Sequence, residues 1–322
     1  MNLSTRRVWQ STMIALARSP RMKRWMQGSR ATSAVATRYV AGETAEQGVG
    51  RASELLRDKG LRSSLFYLGE YVDKPGLVEQ NLAAKIEVAG LLERAGLDVH
   101  VSVDPTQIGF MLDPGWARRN AFAIAEVIAG ATAGRAVVHA LMLDMEDSSV
   151  VDATISLHDA LDDARLPVAV TLQAYLHRTE TDLRTLIKRG SRVRLVKGAF
   201  AAGADVAFVG LSEIKTNSRR LIDLMLSREA RDVGFYPIVA THDEGLHAHA
   251  IERAQKCGWL PDEYEFEMLL GVRGDLAARL AAGGQRVRLY VPFGRDWWPH
   301  AVRRIGENPA NAWLLARSLA DF

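Results

Sequence analysis

The chain has 322 residues, 48% hydrophobic and 25% charged, which excludes a disordered or collagen-like protein and suits one large globular domain or two small ones. One cysteine, Cys257, excludes a disulfide framework and fits a reducing, cytoplasmic compartment. The net charge of +3 is uneven: residues 1–42 carry Arg6, Arg7, Arg18, Arg21, Lys23, Arg24, Arg30 and Arg38 with no acid, leaving 33 basic against 38 acidic residues in the remainder.

That basic start is the first predicted element. Residues 4–40 read as two or three short helices, broken at Ser19-Pro20 and around Gly28. A basic amphipathic segment suits peripheral contact with the anionic inner face of a membrane; the plainer reading is a surface helix packed on the main domain. No apolar run approaches the roughly 18 residues of a membrane span. Arg6-Arg7 and the stretch ending Ala15-Leu16-Ala17 look faintly like a signal peptide, but Gln10, Ser11 and Thr12 interrupt it and basic residues resume at once. The segment lacks interleaved, evenly placed aromatics, so no nucleic-acid partner is expected.

After the basic start a rhythm sets in. Short apolar or β-branched runs, Ser64-Leu68, Val99-Val103, Val137-Leu143, Val168-Leu172, Val193-Val196, Pro237-Thr241, Tyr264-Leu269 and Val287-Val291, predict eight strands. Segments of helical period lie between them: Glu79-Gly96, Gly115-Ala131, Val150-Ala164, Glu180-Arg189, Ser212-Arg228, Glu244-Cys257 and Asp275-Ala282. Strands alternating with single helices predict a parallel sheet. The sequence is therefore read as α/β, a (βα)8 TIM-like barrel over residues 46–322 with an N-terminal helical extension over residues 1–45. An open doubly wound sheet is the runner-up. It lacks support, because no G-x-G-x-x-G follows the first strand and no phosphate-binding G-x-x-x-x-G-K-[ST] appears.

In such a barrel the chemistry sits just past the carboxyl ends of the strands. Asp104, Thr106 and Gln107 follow the second strand, and Asp144, Met145, Glu146 and Asp147 the third. Gln173 and Tyr175 follow the fourth; Arg194, Lys197 and Gly198 lie in or after the fifth; Thr241, His242 and Asp243 end the sixth; Tyr290 and Arg295 mark the eighth. Asp147 with Ser148 and Ser149 reads as a helix N-terminus, and Trp297 and His300 as packing or lid residues. One cysteine, with His247 and His249 on different helical faces, predicts no metal site. No G-x-S-x-G elbow supports a nucleophilic triad. A phosphate-rich cofactor remains open, with Arg194, Lys197, Thr241 and His242 as donors and Gly198-Ala199 allowing close backbone approach.

The segments "YVAGET" (Tyr39-Thr44), "YLGEYV" (Tyr67-Val72), "LDMEDS" (Leu143-Ser148), "LQAYLHRTETDL" (Leu172-Leu183), "RVRLVKGAF" (Arg192-Phe200), "ATHD" (Ala240-Asp243), "YEFEMLLGVR" (Tyr264-Arg273) and "YVPFGRDWWPHAVRRIGENPAN" (Tyr290-Asn311) resemble, in order, the motifs of the proline dehydrogenase family. By length the chain is similar to its compact monofunctional bacterial form. The resemblance implies an FAD-dependent barrel oxidising L-proline to pyrroline-5-carboxylate by hydride transfer to flavin N5, with electrons passed to a quinone-type acceptor. It implies that Arg303 and Arg304 grip the substrate carboxylate, that Glu307 faces the ammonium, and that Tyr290 walls the pocket. Asp144 falls on the family's active-site aspartate and Arg194 on its flavin-adjacent arginine. Met145, Gln173, Lys197, Gly198, Ala199, Thr241 and His242 would hold the FAD.

The residue types suit these roles. A guanidinium matches a carboxylate bidentately, and hydride transfer needs orientation more than acid–base help. Glu307 lies i+4 from Arg303 and i+3 from Arg304, so it can sit between them. One position departs sharply from the family pattern. Where a lysine is expected at the end of the second strand, in a pattern like lysine-x-Thr-Gln-x-Gly, the chain has Asp104. Phe200 stands where tyrosine is common, and Gly306 where alanine is frequent. Three functions therefore stay open: a proline dehydrogenase, a flavin dehydrogenase for another small amine or imino acid that meets Asp104, and a flavin- or ligand-binding barrel without efficient turnover.

Overall fold

Eight strands close into a parallel barrel in chain order: β1 (Arg62–Tyr67), β2 (His100–Val103), β3 (Ala140–Leu143), β4 (Val168–Gln173), β5 (Arg192–Val196), β6 (Tyr236–Ala240), β7 (Glu265–Leu269) and β8 (Val287–Phe293). The barrel closes where β8 pairs with β1, from Arg62 opposite Arg288 to Tyr67 opposite Phe293. The computed structural model describes residues 38–69, 72, 74–131, 138–200, 202–297 and 300. Every strand falls where the periodicity predicts one, with β3 starting at Ala140 rather than Val137.

The helices are α1 (Ala45–Lys59), α2 (Pro75–Arg94), α3 (Pro114–Ala129), α4 (Val151–Asp163), α5 (Thr179–Lys188), α6 (Leu211–Met225), α7 (Arg228–Asp232), α8 (Glu244–Cys257) and α9 (Gly274–Ala282). Two details differ from the expectation. The segment Ser212-Arg228 is two helices, because the Ser227 hydroxyl accepts from Ala230 N and starts α7. Helix α1 has no counterpart among the predicted elements, although Thr44 and Gln47 form a reciprocal capping box at its start. The short helices expected between residues 4 and 40 fall almost wholly outside the described residues. Among the described residues no helix is long and apolar enough to cross a membrane.

The strands separate two environments, because successive side chains point to opposite faces. Outward-facing Leu65, Val101, Leu141, Val170, Leu195, Val239, Phe266 and Val291 are buried in one apolar shell with the helices. Each such side chain contributes about 1.5–3 kcal/mol of burial. The inward face is largely polar. Its apolar groups include a small cluster of Ala140, Met142, Ala169 and Ile238. Below this plug Arg288 donates to Glu265 and Asp98, and above it lies Arg194. The site is therefore set by the inward row of the strands at the carboxyl-end mouth.

Candidate active site

Arg194 is the hub. It is the middle residue of β5 and points inward, since two of its partners lie on β7 and just past β3, which are not its neighbours. Its Nε donates to Thr171 Oγ1 on β4 at 3.0 Å, its Nη1 to Glu267 Oε1 on β7 at 2.6 Å, and its Nη2 to Asp144 Oδ1 just past β3. The Tyr290 ring on β8 lies 5.6 Å beneath the guanidinium carbon, and its hydroxyl donates to Asp144 Oδ2 at 2.8 Å. Five strands or strand ends thus meet on one planar cation. Burial alone would lower the Arg194 pKa; Asp144 and Glu267 overcome that and hold it above the usual arginine value. Burial pushes the Tyr290 hydroxyl well up, and the charges of Asp144 and Asp104 push the same way, so it stays a proton donor.

A second arm of the site comes from the β2 end. Asp104 opens the short 3-10 turn Pro105–Ile108. Within that turn Thr106 donates through N and Oγ1 to Glu146, at 3.1 and 2.7 Å, tying the β2 end to the β3 end. Burial raises the Glu146 pKa against those two hydrogen bonds. Gln107 accepts from the buried Lys85 of α2 at 2.9 Å. Phe66 of β1 packs against Tyr290 with ring centroids 5.2 Å apart, closing this side of the pocket.

The structure brings Asp144, Arg194 and Tyr290 into one hydrogen-bonded group, and places Asp104 near enough for its charge to act on Tyr290. Arg303, Arg304 and Glu307 lie outside the described residues. The residues expected to hold a cofactor line the ends of β3 to β6. Gln173 donates to the Glu146 carbonyl at 2.7 Å, and Met145 is buried in the apolar shell. Lys197 and Ala199 are exposed at the mouth. Thr241 Oγ1 accepts from Asp243 N, and His242 Nε2 accepts from Leu269 N at 3.0 Å, so the imidazole braces β6 against β7. The helix cap at this point is Asp243, which accepts from Gly245 and Leu246. Asp147 caps its own turn through Ser149, as expected.

Gly198 has φ +99°, and a Cβ there would stand 2.1 Å from the Tyr175 ring, so this strand end requires glycine. The Tyr175 hydroxyl beside it is buried with no hydrogen-bond partner among the described residues. Such a bare backbone, an unanswered hydroxyl and exposed Lys197 form a donor set able to take an extended, phosphate-bearing cofactor.

Sequence reading missed Glu267, Thr171, Phe66 and Lys85. The first two carry a signal in the alternation of their strands: Glu265-Phe266-Glu267 and Val170-Thr171-Leu172 each put polar groups on the inward face. Lys85 carries a different signal, a lysine in the buried row Val78, Asn81, Lys85, Val88, Leu92 of α2.

A family model described as Proline dehydrogenase matches residues 49–317. Proline dehydrogenase of Deinococcus radiodurans is 33% identical over 287 residues, covering 88% of this chain and 90% of its own. Proline dehydrogenase 1 of Bacillus subtilis (strain 168) is 32% identical over 284 residues, with coverages of 88% and 90%. Among solved structures, proline utilization A from Bdellovibrio bacteriovorus superposes with a TM-score of 0.76 at 20% identity, over 90% of this chain and 34% of that one. Proline utilization A from Corynebacterium freiburgense gives 0.72 at 22% identity, over 97% and 34%. The chain thus spans about a third of those longer proteins, and at such identity they show the fold alone.

Proposed function

The chain belongs to the proline dehydrogenase family, and from that premise we propose that it oxidises L-proline to pyrroline-5-carboxylate with FAD as hydride acceptor, electrons then leaving to a quinone-type carrier. The observation that carries this reading is the Arg194 hub, a buried guanidinium fixed by Asp144, Glu267 and Thr171 over the Tyr290 ring at the barrel mouth. The family is flavin-dependent. The donor set beside the hub fits a flavin dinucleotide: Lys197 for a phosphate, the Tyr175 hydroxyl with no partner among the described residues, and the bare Gly198 backbone for close approach.

Bound there, FAD supplies the hydride acceptor at flavin N5. The protein's own work is orientation. By the family resemblance Arg303 and Arg304 would hold the proline carboxylate and Glu307 would face the ring nitrogen, presenting the carbon next to nitrogen in one pose. Loss of hydride from that carbon and of a proton from nitrogen leaves the C=N bond of the imine. Asp144 is held in a single rotamer by Arg194 on one oxygen and Tyr290 on the other, which gives the pocket a fixed negative pole near the developing iminium charge. Tyr290 and Phe66 exclude water from the reacting face. Residues 1–42, basic throughout, would rest on an anionic membrane surface and bring the site near a quinone.

The test is direct. Purified protein carries bound flavin, and L-proline bleaches it without oxygen. Protein that takes up no FAD overturns the reading. Flavin that is bleached by a cyclic or basic amine but not by proline favours the second reading, which the acidic pair Asp104 and Asp144 would support through an extra cationic group on the substrate.

A further inference from the structure

Helix α2 buries a lysine. Lys85 has no exposed surface, and it occupies a position in the row Val78, Asn81, Lys85, Val88, Leu92 that faces the barrel. Its ammonium donates to Gln107 Oε1 at 2.9 Å and, at 3.5 Å, to Asn81 Oδ1. Both are neutral amide oxygens. The Tyr67 and Phe66 rings lie 5.5 and 5.9 Å from it, offering their negative faces. Phe66 is the ring packed on Tyr290, and Tyr290 is bonded to Asp144. A chain of direct contacts therefore runs from Lys85 to the centre of the site.

An ammonium enclosed in this way is costly to desolvate, and neutral amide oxygens alone offset little of that cost. The acids whose charges act on it are Asp104 and Asp144, the two carboxylates of the substrate side. Arg194 answers Asp144 and Glu267 directly. Asp104 adds a third negative group to a pocket expected to receive a carboxylate, at the position where sequence resemblance predicts a lysine.

We infer that Lys85 is a positioning residue for substrate. Reaching in from α2 between the Phe66 and Tyr67 rings, it supplies the cation opposite Asp104 and Asp144, so the pocket keeps its positive charge although the β2 end carries an acid. This rests on the reading of the site as one for a small amino-acid carboxylate. A supporting consequence concerns protons. Burial brings the Lys85 pKa down to about 7, against the opposing pull of Asp104 and Asp144, so the group is poised between charged and neutral. A carboxylate ligand stabilises the charged form and so draws in a proton.

The experiment uses the FAD-loaded full chain and a non-oxidisable probe, the proline analogue with oxygen in place of the ring nitrogen, titrated by calorimetry. The charged or titratable groups that act on Lys85 or lie beside it are Tyr67 on β1 and Asp104 and Asp144 past β2 and β3; Glu146, raised by burial, is bonded to Thr106 next to Gln107, and Tyr290 and Arg194 lie one contact further, against Phe66 and Asp144. With Tyr290 pushed up, and Tyr67 also raised by burial, neither phenol loses its proton near neutrality. In the wild type, affinity falls about ten-fold between about pH 6 and about pH 8.5, with proton uptake on binding. In Lys85→Met the affinity is about ten-fold weaker at the lower pH and flat with pH, KM for L-proline rises more than kcat falls, and flavin content is unchanged. In Lys85→Met/Asp104→Lys, which returns the cation from the strand end, affinity recovers to within about three-fold of wild type.

A wild-type affinity that is flat over this range overturns the assignment, as does a folded double variant no tighter than Lys85→Met. The wild-type titration keeps the test decisive even where Lys85→Met fails to fold. Wild type that binds the probe but is not bleached by proline counts against the proposed reaction, and the Lys85 readings, made on binding, stand apart from it.

Discussion

Two arginines inside one barrel make nearly the same set of bonds and serve opposite ends. Arg288, at the lower end, donates through Nε and Nη2 to Glu265, through Nη2 to Asp98 and through Nη1 to the Ser63 carbonyl, at 2.8 to 3.1 Å. It has no exposed surface, and both of its acids are buried. Arg194, at the upper end, also has two acids and a neutral oxygen. But Glu267 Oε2 has no partner among the described residues, Asp144 takes a second bond from Tyr290, and the group opens towards the mouth. Both strands involved carry the two levels at once: Glu265 and Glu267 on β7, Arg288 and Tyr290 on β8, each pair two residues apart. The lower cluster is closed upon itself and can only hold the barrel together. The upper one keeps directed valences for a ligand.

The widest expected separation comes from removing each cation in turn. Arg288→Met leaves Glu265 enclosed without a countercharge and Asp98 with Arg62 alone, at a cost of about 3–5 kcal/mol, close to the whole stability of many domains. Urea or thermal melts would read it. Arg194→Met costs less in stability, because Glu267 already has a raised pKa and takes a proton readily, and Asp144 retains Tyr290. Its effect falls on kcat/KM for proline, a drop of at least about 10³-fold, or about 4 kcal/mol. Equal destabilisation by the two variants would erase the distinction between plug and template.

A finer cut tests the template alone. Tyr290→Phe removes the hydroxyl that donates to Asp144 and keeps the ring against Phe66 and Arg194. Loss of one hydrogen bond to a charged group predicts a fall in kcat/KM of about 5- to 30-fold, or about 1–2 kcal/mol, with the melting temperature nearly unchanged. A large shift in melting temperature would instead place Tyr290 with the lower, structural cluster.

The same two levels explain what the sequence disclosed. The eight strands were legible because their outward residues, such as Leu141, Val170 and Phe266, are apolar shell and follow the period of a strand. Asp144, Arg194 and Tyr290 were legible as polar residues at strand ends, where a barrel concentrates its chemistry. Glu267 was hidden because a glutamate between Phe266 and Met268 reads as a break in an apolar run, and its meaning depends on Arg194, 73 residues earlier in the chain. Lys85 was hidden for the opposite reason: lysine is a common helix residue, and only the closed barrel turns its side of α2 inward. Helix α1 had a readable cap at Thr44 and Gln47 and a buried row at helical spacing, but that row is mostly small residues, Ala45, Gly48, Val49, Ala52 and Leu55, in an otherwise polar segment, so it stands out little from a loop. The roles of Arg303, Arg304 and Glu307 rest on the resemblance alone, since these residues lie outside the described ones.

The smallest expected effect is the most selective. Burial leaves Glu267 with a raised pKa that Arg194 only partly offsets. The sign follows from proton counts. Between the ordinary glutamate value and the raised one, the folded state holds more of the proton than the unfolded state, so this group's contribution to stability falls as pH rises through that window. Glu267→Gln removes the titration. Its stability should lie within about 1 kcal/mol of wild type at neutral pH, and the difference between variant and wild type should move in the variant's favour as pH rises from about 4.5. Chemical denaturation at a series of pH values measures this. A difference independent of pH would mean that Arg194 fully cancels the burial of Glu267, making the upper cluster as closed as the lower one. A slope of the expected sign would mean that the mouth carries a carboxylate still short of a partner, which a bound ligand or cofactor can then influence.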